Sequence, residues 1–117
     1  VAQNPEDHET LIAMIQRHVA NRQYRLTVHA EREREADRIT IYEIEEAIRS
    51  SQCQVVENYP DDPRGASCLV LGFTEQDTPI HIVCGVAETE MLIMITVYRP
   101  DPDLWVDWVV RRGRDKD

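Results

Sequence analysis

The segment Ile80-His81-Ile82-Val83-Cys84-Gly85-Val86, followed after the polar stretch Ala87-Glu88-Thr89-Glu90 by Met91-Leu92-Ile93-Met94-Ile95-Thr96-Val97-Tyr98, decides the fold. Both runs are strand-sized, rich in β-branched residues and bounded by turn formers. Alternation sets Ile80, Ile82, Cys84 and Val86 on one face and His81, Val83 and Gly85 on the other. The same period of two extends upstream. It gives a strand from Cys53 to Tyr59, a turn at Pro60-Asp61-Asp62-Pro63-Arg64-Gly65, a strand from Cys68 to Phe73 and a loop at Glu75-Gln76-Asp77-Thr78. Strands joined by loops this short predict an antiparallel meander of about four strands.

The flanks read as helix. Asn4-Pro5-Glu6-Asp7 supplies a cap, a proline suited to the first helical position and acids at the positive end of the dipole. Leu11, Ile12, Ile15 and Val19 follow at helical spacing, so a helix is expected over about 5–22. Tyr24-Arg25-Leu26-Thr27 is a short strand. Val28 to Asp37 is a charged helix capped by Thr27, with His29, Arg32, Glu33 and Ala36 on one face. Thr40-Ile41-Tyr42-Glu43 is a capping box, and Ile41, Ile44, Ala47 and Ile48 are the stripe of a third helix over about 41–51. Asp101-Pro102-Asp103 repeats the logic of Asn4-Pro5 and predicts a terminal helix that stops at Gly113. Its residues Trp105, Trp108 and Val109 leave little polar face, which makes them candidates for a partner interface. The fold class is α+β.

Composition sets limits. A chain of 117 residues has room for one domain, and its longest apolar run is far shorter than a membrane span. No secretion signal is visible in the first residues, so a cytoplasmic location is expected. Cys53, Cys68 and Cys84 are odd in number and irregular in spacing, which favours reduced thiols. His81 and Cys84 point to opposite faces of a strand, and His8 and His18 lie far apart on a helix, so no metal site is expected. Four isolated glycines make no phosphate-cradling loop, and no cofactor is called for. The net charge of −9 opposes binding to a phosphate backbone. The cations are nevertheless almost all arginine, clustered at 32, 34 and 38 and at 111, 112 and 114.

His29-Ala30, Tyr59-Pro60-Asp61-Asp62, Leu69-Val70-Leu71-Gly72, Pro79-Ile80-His81-Ile82-Val83, and Thr96-Val97-Tyr98-Arg99-Pro100-Asp101-Pro102 before Trp105 form an ordered set. Over about residues 24–112 this set resembles domain of unknown function family 4258, of the RelE/ParE/BrnT-like toxin superfamily. The resemblance divides a single domain, 1–117, into a helical extension (1–23), a RelE-like core (24–112) and a charged tail (113–117). It implies a RelE-like fold, with helices on one face of a curved sheet and a cleft on the other. It also implies a cognate antitoxin, commonly with a zinc finger and a helix-turn-helix, and metal-independent mRNA cleavage in active members. Many relatives carry arginines four and eight residues past the histidine; Glu33 and Asp37 stand there in this chain.

Such cleavage needs a base, an acid and a cation. His81 and Tyr98 are the candidate acid–base groups, His29 a second one, and Arg32 and Arg99 the candidate phosphate clamps. Each has a structural reading beside it: a hydrogen-bonded strand histidine, a sheet anchor, a helix-start contact, or pairing with adjacent glutamates. Three functions therefore stand open: a toxin-like endoribonuclease, a non-catalytic protein-binding module, and a self-associating domain such as a homodimer.

Overall fold

A chain whose helices are amphipathic and whose strands alternate has to bury one layer against the other. The computed structural model describes residues 7–87 and 90–113 and shows that arrangement. The elements are α1 (His8–Ala20), β1 (Tyr24–Leu26), α2 (Val28–Ala36), α3 (Ile41–Arg49), β2 (Gln54–Tyr59), β3 (Ser67–Phe73), β4 (Pro79–Gly85), β5 (Leu92–Tyr98), β6 (Trp105–Val106) and β7 (Val110–Arg111). The main sheet has the order β1-β5-β4-β3-β2. β2 to β5 form the antiparallel meander; β1 joins β5 in parallel, so the sheet is mixed. Ile15, Ile44, Ile48, Val70, Ile82 and Met94, all fully buried, mark the core between the helices and one sheet face. α3 packs so closely on β3 that a Cβ at Gly72 would lie 2.1 Å from the Ala47 carbonyl oxygen.

Local signals set the helix starts. α3 carries the full capping box, with Glu43 N–H donating to Thr40 Oγ1 and Thr40 N–H donating to the Glu43 carboxylate. Thr27 caps α2. α1 begins at His8 with Asp7 as its cap, later than the proline-based start; Asn4, Pro5 and Glu6 lie outside the described residues.

β1 is three residues long and reaches only as far as Met94, its partner opposite Leu26. Beyond that point the outer edge of β5 has no strand beside it, and unpaired backbone groups there are costly. The start and inner face of α2 supply the partners instead. Thr27 N–H donates to the Met94 carbonyl and Thr27 Oγ1 to the Ile95 carbonyl, each at 3.0 Å. Glu33 then accepts from Val97 N–H at 3.0 Å, and Asp37 from Arg99 N–H at 2.9 Å. The two carboxylates therefore act as a surrogate strand, which is what acids at positions 33 and 37 supply.

The expected C-terminal helix is absent. Residues 101–113 form a hairpin, with Trp105 opposite Arg111 and Val106 opposite Val110. Asp107 and Trp108 both have positive φ, 53° and 67°, the left-handed pair used by tight hairpin turns. Three valines and two tryptophans disfavour helix through restricted χ1. Asp101 starts a turn instead, its carboxylate accepting from Asp103 N–H and its carbonyl from Leu104 N–H. Above all, alternation lets Trp105 turn inward, to 3 % exposure, while Val106 faces out at 38 %.

Replacing Glu33 with Ala is expected to cost about 1–3 kcal/mol by orphaning a backbone donor. Urea unfolding reads that loss, and amide exchange should show Val97 losing protection while core amides of β3 keep theirs.

Candidate functional site

The meander places Glu57, Leu69, Leu71, His81, Val83, Thr96 and Tyr98 on the sheet face opposite the helices, because residues paired across strands share a face. His81 lies directly opposite Tyr98. Its Nδ1 is 3.0 Å from the Tyr98 hydroxyl and its Nε2 2.8 Å from the Trp108 carbonyl oxygen. A carbonyl only accepts, so Nε2 carries the proton and Nδ1 accepts from the phenol. Trp105 stands edge-on to the imidazole, with ring centroids 4.6 Å apart. Both ring nitrogens are thus occupied, and His81 has no exposed surface.

A polar rim surrounds this buried centre. Arg111 donates from Nε and a terminal nitrogen to the Glu57 carboxylate, and its guanidinium lies 4.6 Å from the Trp105 ring centroid. Tyr59 donates its hydroxyl to the same glutamate. Desolvation lowers the His81 pKa below its ordinary 6.5, opposed by the Trp108 carbonyl and Glu57. Burial pushes Tyr98 up to about 12, against the pull of Arg111. At neutral pH the pair is therefore a neutral imidazole and a protonated phenol. Beyond it the face opens into a groove of about 420 Å³ whose walls include Arg64, Ser67, Val83 and Thr96.

The structure brings His81 and Tyr98 together but leaves the other proposed groups elsewhere. His29 sits on exposed α2, 3.3 Å from Glu33, where it steadies the carboxylate that caps β5. Arg32 is exposed and makes no hydrogen bond or ion pair with the described residues. Arg99 is engaged in bracing the α2–α3 junction: it donates to the Asp37 and Arg38 carbonyls and lies 3.6 Å from Glu43. The guanidinium that does reach the His81 cluster is that of Arg111, which the sequence marks only as one of the arginines clustered at 111, 112 and 114. Glu57 and Tyr59 were equally overlooked, although their spacing of two on a strand puts them on one face. Trp105, expected on an interface, faces inward. Within the hairpin segment the large apolar side chains turned to solvent are Leu104, Val106 and Val110.

Cys53, Cys68 and Cys84 are free thiols on or beside the helix-covered face. Burial raises Cys53 and Cys68 to about 12 and Cys84 well above its ordinary range, so they remain protonated and weakly nucleophilic. Among the described residues no cluster of His, Cys, Asp and Glu has the makings of a metal site, and no helix is long and apolar enough to cross a membrane.

A family model, domain of unknown function (DUF4258), matches residues 26–99. The match spans more than half of the chain, so the chain belongs to this family. No curated protein and no solved structure matches it.

A buried neutral histidine gives a signed pH dependence. The folded pKa is depressed, so the unfolded chain binds the extra proton first as pH falls. Stability is expected to be full above about pH 6.5 and to decline as pH falls from there towards the lower folded value. Urea midpoints measured between about pH 8 and 5 should show this acid-side decline, and His81→Asn should flatten it.

Proposed function

We propose that this chain is a non-catalytic, protein-binding module built on a RelE-like scaffold. The observation that carries the reading is the seal over His81. The only two nitrogens able to exchange a proton are held by Tyr98 and the Trp108 carbonyl, and Trp105 excludes water from them. A general base has to reach the proton it removes. In this arrangement the imidazole organises the sheet and the hairpin rather than touching a substrate. The charge of −9 supports the same reading, since it repels RNA at long range. So does the displacement of cations: Glu33 and Asp37 cap β5 at the two positions where the resemblance implies arginines in many relatives, and Arg99 is engaged in bracing helices. The partner that suits the resemblance is a small cytoplasmic antitoxin-like protein.

One observation favours the second reading, a metal-independent endoribonuclease. His81 and Tyr98 are in contact, Arg111 lies over the Trp105 ring that meets the imidazole, and an open groove walled by Val83 and Thr96 lies farther along the same sheet face. That activity requires the hairpin to leave, and burying a tryptophan of about 150–250 Å² is worth roughly 4–6 kcal/mol against departure.

Expression in a bacterial host separates the two. Under the binding reading, the wild-type chain, Trp105→Ala and His81→Ala all leave growth and total RNA unchanged. Growth arrest with RNA cleavage by the wild type or Trp105→Ala, abolished by adding His81→Ala, would establish the enzyme instead.

A further inference from the structure

The two ends of the main sheet are unequal. At one end β1 is a three-residue stub and the exposed part of β5 is capped by Thr27, Glu33 and Asp37. At the other end β2 is six residues long and has a strand on one side only. The alternate N–H and C=O groups on its outer side form a ready template for another extended chain. Edge strands of this length are usually blunted by lysine, proline or a bulge; β2 (Gln54-Val55-Val56-Glu57-Asn58-Tyr59) contains neither lysine nor proline, and its register shift at Val56 leaves Glu57–Tyr59, beside the hairpin, as the regular stretch of the edge.

The C-terminal hairpin builds a wall beside that edge. A shallow groove of about 660 Å³ runs between Val56 and Tyr59 of β2 and Val109 and Val110 of the hairpin. Val106 and Val110 are paired across β6 and β7 with their side chains outward, and Leu104 next to them is 60 % exposed. Their charged neighbours among the described residues are net acidic, three aspartates against Arg112, with Arg111 offset by Glu57. Arg111 is engaged by Glu57 and Trp105, and Arg112 donates to the Pro102 and Trp105 carbonyls. Asp101, Asp103 and Asp107 remain at the surface, and Asp107 has no hydrogen bond or ion pair among the described residues. A second copy of this chain would bring another acidic hairpin and nine more negative charges to the same place.

We infer that the outer edge of β2, together with the apolar, acid-flanked face of the hairpin, is the docking surface for an extended segment of a cationic protein partner. The segment adds as a sixth strand beside β2. Its apolar side chains, at alternate positions, pack on Val106, Val110 and Tyr59, and its lysines or arginines meet the hairpin aspartates. This inference rests on the binding reading and names the surface and the chemistry of the partner.

The test uses the full chain, labelled with ¹⁵N, and three synthetic decapeptides: alternating Val and Lys, the same with Glu in place of Lys, and the first with alternate backbone nitrogens methylated. The Val/Lys peptide is expected to shift amides of Gln54–Tyr59 and Val106–Val110 saturably, and more weakly as salt rises. The acidic and N-methylated peptides are expected to bind at least tenfold more weakly. The double substitution of Val106 and Val110 with Lys, both already exposed, should weaken the Val/Lys peptide at least tenfold. Val28→Lys, a control on exposed α2, should leave it unchanged. The inference is overturned if no peptide binds, if the shifts fall elsewhere, or if the acidic peptide binds as well. It is also overturned if single-stranded RNA occupies these residues, or if sedimentation shows a dimer that the Lys substitutions dissolve. Peptide failure with unimpaired growth removes this surface alone, whereas growth arrest that depends on His81 removes the binding reading itself.

Discussion

β3 is buried on both of its faces along almost its whole length, and everything else in the molecule answers to that requirement. Six consecutive residues from Ser67 to Gly72 are inaccessible or nearly so. Cys68 and Val70 are covered by helices, which any α+β layer supplies. Leu69 and Leu71 face the other way, where no helix lies, and a strand apolar on both sides needs a second cover. The C-terminal hairpin is that cover. Trp105 supplies the bulk, and His81 supplies the polar tie, through Trp108, that fixes where the bulk sits. The histidine is buried because the leucines beside it have to be, and its chemistry follows from its position in the packing.

The same dependence sets the state of the imidazole. An imidazole with a pKa near neutrality is useful when solvent or substrate reaches it. Desolvation favours the neutral ring, a carbonyl fixes its tautomer and a phenol takes its remaining lone pair. Every interaction that holds His81 in place also removes a degree of freedom from the ring. Glu57, Arg111 and Tyr59 extend the logic outward, tying the hairpin to β2 by paired charge-assisted bonds at the rim of the buried patch.

Much of this fold was legible from periodicity and capping alone. Thr40 and Glu43 announced α3, and the alternation from Ile80 to Val86 placed His81 opposite the helix-covered core. The facing of His81 and Tyr98 was also readable, since both sit on the same side of a meander. Three things were hidden. Asp101-Pro102-Asp103 has the composition of a helix start, and only the left-handed backbone at Asp107 and Trp108, which no local pattern demanded, turns the segment into a hairpin. The parallel direction of β1 depends on how two helices carry the chain back to the sheet, a tertiary fact. Exposure was the third: alternation tells which face a side chain takes, and whether that face is wet depends on a distant segment arriving to cover it.

The uneven ends of the sheet also bear on how this molecule behaves at high concentration. Stacking without limit needs a donor edge and an acceptor edge on every copy, so that each addition regenerates the site it consumed. Here Glu33 and Asp37 spend the amides of one end on carboxylates of the same chain. With only the three-residue β1 left as an edge at that end, the sheet offers one long edge and no equal to it opposite.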